Sequence, residues 1–278
     1  MVDTWHGISA AIFLLAIGGI AVFLITRALR MPGRYTFAER IIYAPVYALV
    51  RILWRVEVEW DPKWDQLLPS GQRWQNGFLR DRIQHGAVLV ANHRTSVDPF
   101  FIQLAAGCRV HWMVAGEYFH HFLFGPLLRS YQAIPTNRGG MDNAATKRAI
   151  RLANEGGFVG MFPEGRINRT EQAMLSIRPG AALVAARAGV PLVPIWIEGA
   201  PVGPEVYSAL FMASHVRIRI GTPIDLPKPD ATELNSDCER FDRAKGNEWI
   251  TCVLAEMLRL GVRESERITI AGKGWVDS

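Results

Sequence analysis

The stretch Gly86-Ala87-Val88-Leu89-Val90-Ala91-Asn92-His93-Arg94-Thr95-Ser96-Val97-Asp98-Pro99-Phe100-Phe101-Ile102-Gln103 decides the fold. Ala87 to Ala91 is an apolar run with no polar alternation, the pattern of a strand buried on both faces of a parallel sheet. Asp98 followed by Pro99 opens a helix-compatible segment. An aspartate at the N-cap accepts orphan N–H groups, and proline at the first helical position lacks one to satisfy. His93 therefore leaves the carboxyl end of a strand and Asp98 begins the next helix. Open α/β sheets bind their ligands at that edge.

Outward from this unit the same alternation continues. Strands are predicted at Val110–Val114, Ile134–Thr136, Phe158–Phe162 and Leu192–Ile197. Helices are predicted from Pro99 to about Ala106, at Asp142–Asn154, at Gly180–Ala188 (closed by Gly189) and near Phe241–Leu260. Glu117–Ser130 reads as an aromatic-rich helix broken near Gly125-Pro126. Val216 to Ile220 alternates in polarity and is expected at an edge or half exposed. The fold class is α/β, with layered helices around a mostly parallel or mixed sheet.

The amino-terminal region differs in character. From Thr4 to Thr26 there is no charge if His6 is neutral, and about 20 such residues cross a ~30 Å hydrocarbon core. No Lys or Arg precedes the run, which argues against a signal peptide. Arg27, Arg30 and Arg34 follow it and Asp3 precedes it, so the positive-inside rule places the bulk of the protein on the cytoplasmic side of a single-pass anchor. Thr36-Phe37-Ala38-Glu39 has capping-box spacing and opens an apolar segment interrupted by Arg51 and Arg55. An interfacial helix with Trp54 and Trp60 as anchors is one reading of it. A helix packed on the enzyme domain is the other. The implied organisation is a transmembrane anchor at 1–30, an interfacial segment at 31–60, a linker at 61–85, a catalytic core at 86–225 and a carboxyl-terminal loop and helix at 226–278.

Composition narrows the function. Of 278 residues 49% are hydrophobic, enough for a sizeable core, and the net charge is +5. The six arginines between Arg27 and Arg55 adjoin the membrane segment and no nucleic-acid module, so nucleic acid is not an expected partner. Three widely spaced cysteines form neither a disulfide framework nor a metal pair. His111, His120 and His121 lack carboxylate or thiol partners at ligand spacing, so no metal is expected. Walker A and Gly-x-Gly-x-x-Gly patterns are missing, which leaves nucleotide hydrolysis and hydride transfer unsupported.

Four blocks in order carry a resemblance to a known family. They are His93-Arg94-Thr95-Ser96-Val97-Asp98, Ala133-Ile134-Pro135-Thr136-Asn137-Arg138, Phe162-Pro163-Glu164-Gly165 and Val190-Pro191-Leu192-Val193-Pro194-Ile195. Together they resemble the glycerolipid acyltransferases, over roughly residues 86–225. The sequence departs from the family pattern at Gln132, at Asn137 and at Arg166-Ile167-Asn168. The resemblance implies transfer of a fatty acyl chain from acyl-CoA or acyl-carrier protein to a lysophospholipid such as lysophosphatidic acid, without a cofactor. Membrane lipids and the acyl donor are the implied partners. Lysophosphatidylethanolamine or an amino-acid-headed lyso-lipid is the alternative acceptor, and a non-catalytic lipid-binding protein the alternative class.

In this scheme His93 is the general base, because imidazole titrates near neutrality, and Asp98 fixes its tautomer as a triad carboxylate does. A Ser96 nucleophile is the rival arrangement. The resemblance assigns acceptor binding to Arg138, whose planar fork suits phosphate oxygens. It extends that role to Glu164, Gly165 and Arg166, with Asn92 beside the histidine. Backbone N–H groups near the start of the Pro99 helix are candidate oxyanion donors.

Overall fold

The computed structural model describes residues 15, 17–20, 22, 23, 25, 26, 34–67, 77–122, 124–137, 143–203, 207–227, 243–264, 268 and 270. Seven strands form one sheet: β1 (Glu57–Trp60), β2 (Ala87–Ala91), β3 (Val110–Ala115), β4 (Ile134–Thr136), β5 (Phe158–Met161), β6 (Leu192–Glu198) and β7 (Arg217–Ile220). Their order is β1-β7-β6-β2-β5-β3-β4. Every neighbouring pair is parallel except β6 with β7. The mostly parallel α/β sheet is the architecture expected from the alternation of apolar strands and helices.

β2 lies at the centre, and its five residues are all buried. Ala87, Leu89 and Ala91 face one core, with Phe101 and Ile102 of helix α3 (Asp98–Ala106) and Val50 of helix α1 (Phe37–Ile52). Val88 and Val90 face a second core, built from α5 (Asn143–Asn154), α6 (Gly180–Ala188) and α7 (Arg243–Leu260). A strand that meets helices on both faces has no solvent side, which is why its sequence shows no alternation.

Several expectations need correction. Arg217–Ile220 is half exposed, alternating in burial as one of its two expectations had it, but it is not an edge, because β1 pairs with it and is itself the edge strand. Glu59 of β1 meets Arg217 at 2.8 Å and Arg219 at 3.0 Å, a cross-strand pairing that accompanies the shared alternation. Within the 61–85 linker, Pro62–Leu67 forms a 3-10 turn with Trp64 buried, and Leu79–Arg82 forms the short helix α2. The aromatic segment breaks before Gly125-Pro126, between a 3-10 turn at Gly116–His120 and helix α4 (Phe124–Ser130). Pro126 sits in the first turn of α4, where a missing N–H costs no helical bond.

Helix α1 begins with the capping box expected at Thr36 and Glu39. Glu39 also pairs with Arg109. Tyr43 stacks on Tyr131 with ring centroids 4.2 Å apart and donates its hydroxyl to the Ser130 carbonyl at 3.1 Å. Trp54, read from sequence as an interfacial anchor, is fully buried, packs edge-on against Phe101 and donates Nε1–H to the Ala209 carbonyl at 3.1 Å. Trp60 is covered by the Arg82 guanidinium at 3.9 Å from its ring centre. Helix α1 is thus packed on the enzyme domain through Tyr43 and Val50.

The expected transmembrane segment at 4–26 lies largely outside the described residues. Those described between 15 and 26 are helical and exposed. Among the described residues no helix is long and apolar enough to cross a membrane.

The burial of Trp54 yields a test. Trp54→Ala removes a fully buried indole and leaves a cavity, at a cost of about 3–5 kcal/mol. Denaturant unfolding in detergent reads this directly. A wild-type midpoint would return Trp54 to an anchoring role.

Candidate active site

The site begins where β2 ends. Asp98 is fully buried, and its Oδ2 accepts from three donors: His93 Nδ1–H at 2.9 Å, Arg94 N–H at 2.6 Å and Thr95 N–H at 2.8 Å. A carboxylate only accepts, so Nδ1 carries the proton and Nε2 presents a lone pair. The sequence expectation of an N-cap aspartate is adjusted here. The N-cap residue is Val97, and Asp98 reaches back to the loop instead of forward to the helix. Asp98 Oδ1, buried as well, has no hydrogen-bond partner among the described residues.

Some of the N–H groups expected as oxyanion donors near the start of α3 are already engaged. Arg94, Thr95, Asp98 and Phe100 already donate their N–H groups, to Asp98 Oδ2, Asp98 Oδ2, Thr95 O and Val97 O. Pro99 has none to give.

Beneath the imidazole lies a stack. The His93 ring is parallel to Phe162, centroids 3.9 Å apart, and Phe162 is parallel to Trp112 at 5.0 Å. Trp112 on β3 pairs in register with Gly160 on β5. A Cβ on Gly160 would come within 2.5 Å of the indole, so glycine is what lets the indole lie there. An isolated glycine within a strand marks such close approach, and that was the available sequence signal for Trp112 and Phe162.

A second carboxylate holds the same loop from the other side. Glu164 is 2% exposed. Its Oε1 accepts from the His93 N–H at 2.7 Å and its Oε2 from the Leu175 N–H at 2.7 Å. The Asn168 N–H donates to the His93 carbonyl at 2.7 Å, so both backbone groups of His93 are fixed by the 164–168 turn. Arg94 Nη1 donates to the Thr170 carbonyl at 2.9 Å. Burial pushes the Glu164 carboxyl up to about 7, against the two N–H donors that pull it down, while the nearby Asp98 charge adds to the rise.

These contacts redistribute the roles expected from sequence. Asn92 is buried, with Nδ2 donating to the Ile197 carbonyl at 2.9 Å and Oδ1 accepting from the Ile197 N–H at 2.7 Å. It ties the end of β2 to β6, with both polar atoms of its amide engaged by backbone. Glu164 likewise braces His93, with both oxygens engaged by backbone. Gly165 adopts a left-handed conformation (φ +70°), which explains the glycine, and Arg166 beside it is exposed. Arg138 lies outside the described residues. An open cleft walled by Gly116, Glu117, His120, Thr136 and Asn137 lies at the carboxyl ends of β3 and β4, and the chain runs from it into Arg138. Asn168, the first residue of an Asn-x-Thr sequon, is fully buried with its amide bonded to Gln172 and Thr170. A glycan there is incompatible with this fold on either side of a membrane.

His111 is buried, with Nδ1 3.3 Å from the Gln132 carbonyl, and burial lowers its basicity. His121 approaches the Tyr207 hydroxyl at 3.1 Å. Among the described residues no cluster of three or more His, Cys, Asp or Glu is placed to hold a metal ion.

An imidazole oriented by a buried carboxylate at the ligand edge of an α/β sheet is a general-base arrangement suited to acyl transfer. Comparison with known proteins agrees. A family model described as Acyltransferase matches residues 69–198. A 1-acyl-sn-glycerol-3-phosphate acyltransferase of Bacillus subtilis is 31% identical over 142 residues, covering 50% of this chain and 67% of that protein. A chloroplastic 1-acyl-sn-glycerol-3-phosphate acyltransferase of Arabidopsis thaliana is 31% identical over 153 residues, 52% of this chain but 41% of that protein. The crystal structure of the Thermotoga maritima 1-acyl-sn-glycerophosphate (LPA) acyltransferase, PlsC, shares the fold, with a TM-score of 0.53 at 16% identity over 93% of this chain and 92% of that one. The chain belongs to the glycerolipid acyltransferase family.

The Glu164 brace is testable. In Glu164→Gln an amide nitrogen faces one of the two N–H donors, so kcat should fall about 10- to 100-fold with little change in KM. The folded-state value of Glu164 lies above the ordinary 4.5. Stability contributed by this group is therefore full below about 4.5 and lost as the pH climbs through about 7. Denaturant unfolding across that window should show a shallower pH slope in Glu164→Gln than in the wild type.

Proposed function

We propose that this enzyme moves a fatty acyl chain from acyl-CoA or acyl-carrier protein to the free hydroxyl of lysophosphatidic acid, giving phosphatidic acid. We place it on a single-pass anchor with its catalytic domain at the cytoplasmic leaflet. The observation that carries the reading is the His93 Nδ1–Asp98 Oδ2 contact at 2.9 Å, with Asp98 excluded from solvent. The names of the relatives support the acceptor, and the charge-free run followed by Arg27, Arg30 and Arg34 supports the anchor.

In this mechanism His93 Nε2 takes the proton of the acceptor hydroxyl as its oxygen attacks the thioester carbonyl. Asp98 stabilises the imidazolium that forms. Collapse of the tetrahedral intermediate breaks the C–S bond, and the imidazolium returns its proton to the departing sulfur. No acyl-enzyme is needed, so Ser96 has no covalent role. Arg138 grips the acceptor phosphate, and Arg166 on the exposed turn adds a second contact.

Labelled acyl-CoA with a panel of lyso-lipids tests the whole. His93→Ala should abolish turnover, and Asp98→Asn should lower kcat on the order of 10³–10⁴-fold if tautomer control matches that of serine triads. Near-normal rates in His93→Ala would sink the mechanism. A wild type that prefers lysophosphatidylethanolamine or an amino-acid-headed lyso-lipid would replace the acceptor and keep the chemistry.

The same panel reads the headgroup contacts. Arg138→Ala should raise the KM for lysophosphatidic acid roughly 10- to 150-fold, the loss of a charge-assisted contact of about 1.5–3 kcal/mol. Arg138→Lys should recover part of it, since an ammonium lacks the fork. Arg166→Ala should weaken lysophosphatidic acid more than a zwitterionic lyso-lipid. Equal loss on both would make Arg166 structural.

A further inference from the structure

The two most exposed aromatic side chains among the described residues, Phe122 at 84% and Phe211 at 83%, are far apart in sequence. Strand directions bring them to one edge. β2 and β3 run parallel within the sheet, so the Gly116–His120 turn and Phe122, which follow β3, lie on the carboxyl edge with His93. β6 ends on that edge at Glu198. Because β7 runs antiparallel to β6 and β1 parallel to β7, Glu198, Arg217 and Glu57 lie side by side. The end of α1 and the segment before β7 therefore meet there too. Ser214 N–H donates to the Leu53 carbonyl at 3.1 Å, and Arg55 Nε–H to the Ser214 carbonyl at 3.3 Å.

The elements carrying the two phenylalanines are joined. Tyr207 is 3.1 Å from His121 Nε2 and stacks parallel to Phe124 at 5.6 Å. Ile52, 60% exposed, ends α1 on the same edge. Charge accompanies the apolar groups: Arg51 and Arg55 are exposed beside them. The acids at that corner are engaged, with Glu57 on His215 and both Glu59 and Glu198 on Arg219. Scattered exposed apolar residues need no explanation, but aromatic tips and arginines gathered around one active-site edge do. A bilayer interface accepts both, rings at the acyl boundary and guanidinium groups at anionic headgroups.

We propose that this edge is a lipid-docking rim, in which Phe122, Phe211 and Ile52 enter the interface and Arg51 and Arg55 meet anionic headgroups. The proposal deepens the function given above and rests on it for the lipid that His93 acts upon. With the rim seated, the sheet edge faces the bilayer and His93 opens toward a lyso-lipid still in its leaflet. The amino-terminal segment then serves as a tether, while the rim sets orientation.

The test uses the full chain reconstituted in vesicles of phosphatidylcholine and phosphatidylglycerol. Nitroxide labels are placed at Phe122→Cys, Phe211→Cys and, as a control on the amino edge, Glu155→Cys, with Cys238 and Cys252 changed to serine. Labels at 122 and 211 should be more accessible to oxygen than to a water-soluble nickel chelate, and the label at 155 the reverse. Equal accessibility at all three positions overturns the rim, and so does spin–spin broadening between labels, which marks a second copy as the occupant. This readout needs no turnover, so a wild type inactive on every lyso-lipid defeats the proposed function and leaves the rim measurable. Phe122→Ser combined with Phe211→Ser should lower turnover of vesicle-borne acceptor about five- to tenfold and leave a short-chain, monomeric acceptor unaffected. Equal losses on both forms also overturn the rim.

Discussion

One carboxylate oxygen, Asp98 Oδ2, receives three N–H groups within five residues of chain. Everything at the site follows from that convergence. A buried carboxylate is stable only when donors replace its water, and here the donors are the loop's own backbone and the imidazole. The loop cannot open without stripping the charge, and the imidazole cannot turn without losing its proton acceptor. The imidazole is therefore oriented before any substrate arrives, which is the condition for electrostatic preorganisation.

Glu164 repeats the device at longer range. It joins the His93 backbone to Leu175, while Asn168 takes the His93 carbonyl and Arg94 holds the Thr170 carbonyl. The 164–175 segment and the His93 loop thus form one hydrogen-bonded body, although they belong to different strand–helix connections. The two carboxylates differ in what surrounds them. Asp98 also binds the imidazole, whereas Glu164 is held by two backbone N–H groups, and burial carries its carboxyl up to about 7.

Packing carries the arrangement into the sheet. Gly160 admits the Trp112 indole, the indole supports Phe162, and Phe162 lies against the His93 ring. On the opposite side Asn92 stitches the end of β2 to β6. The central strand is thereby fixed to both neighbours at the point where the His93 loop departs. Aromatic and amide contacts of this kind tolerate little displacement, because interiors are close-packed. The exposed rim on the same edge has the opposite character, with large apolar tips left to meet another phase.

The sequence by itself determined what depends on near neighbours. A five-residue apolar run is a doubly covered strand wherever it lies, Asp-Pro starts a helix, Gly189 ends one, and His93 and Asp98 are close enough in the chain for a tight loop to join them. The capping box at Thr36 and Glu39 is local in the same way. Only the tertiary structure decided which polar groups face inward. Asn92 adjoins one block and Glu164 sits in another whose family resemblance suggested acceptor binding, yet their partners are Ile197, 105 residues away, and His93, 71 residues away. Trp54 among arginines reads as a membrane anchor until the sheet folds beneath it, and β1 is a strand because β7 lies beside it. Side-chain polarity is written in the sequence, but the direction a side chain points is set by register and packing between segments that the chain brings together only on folding.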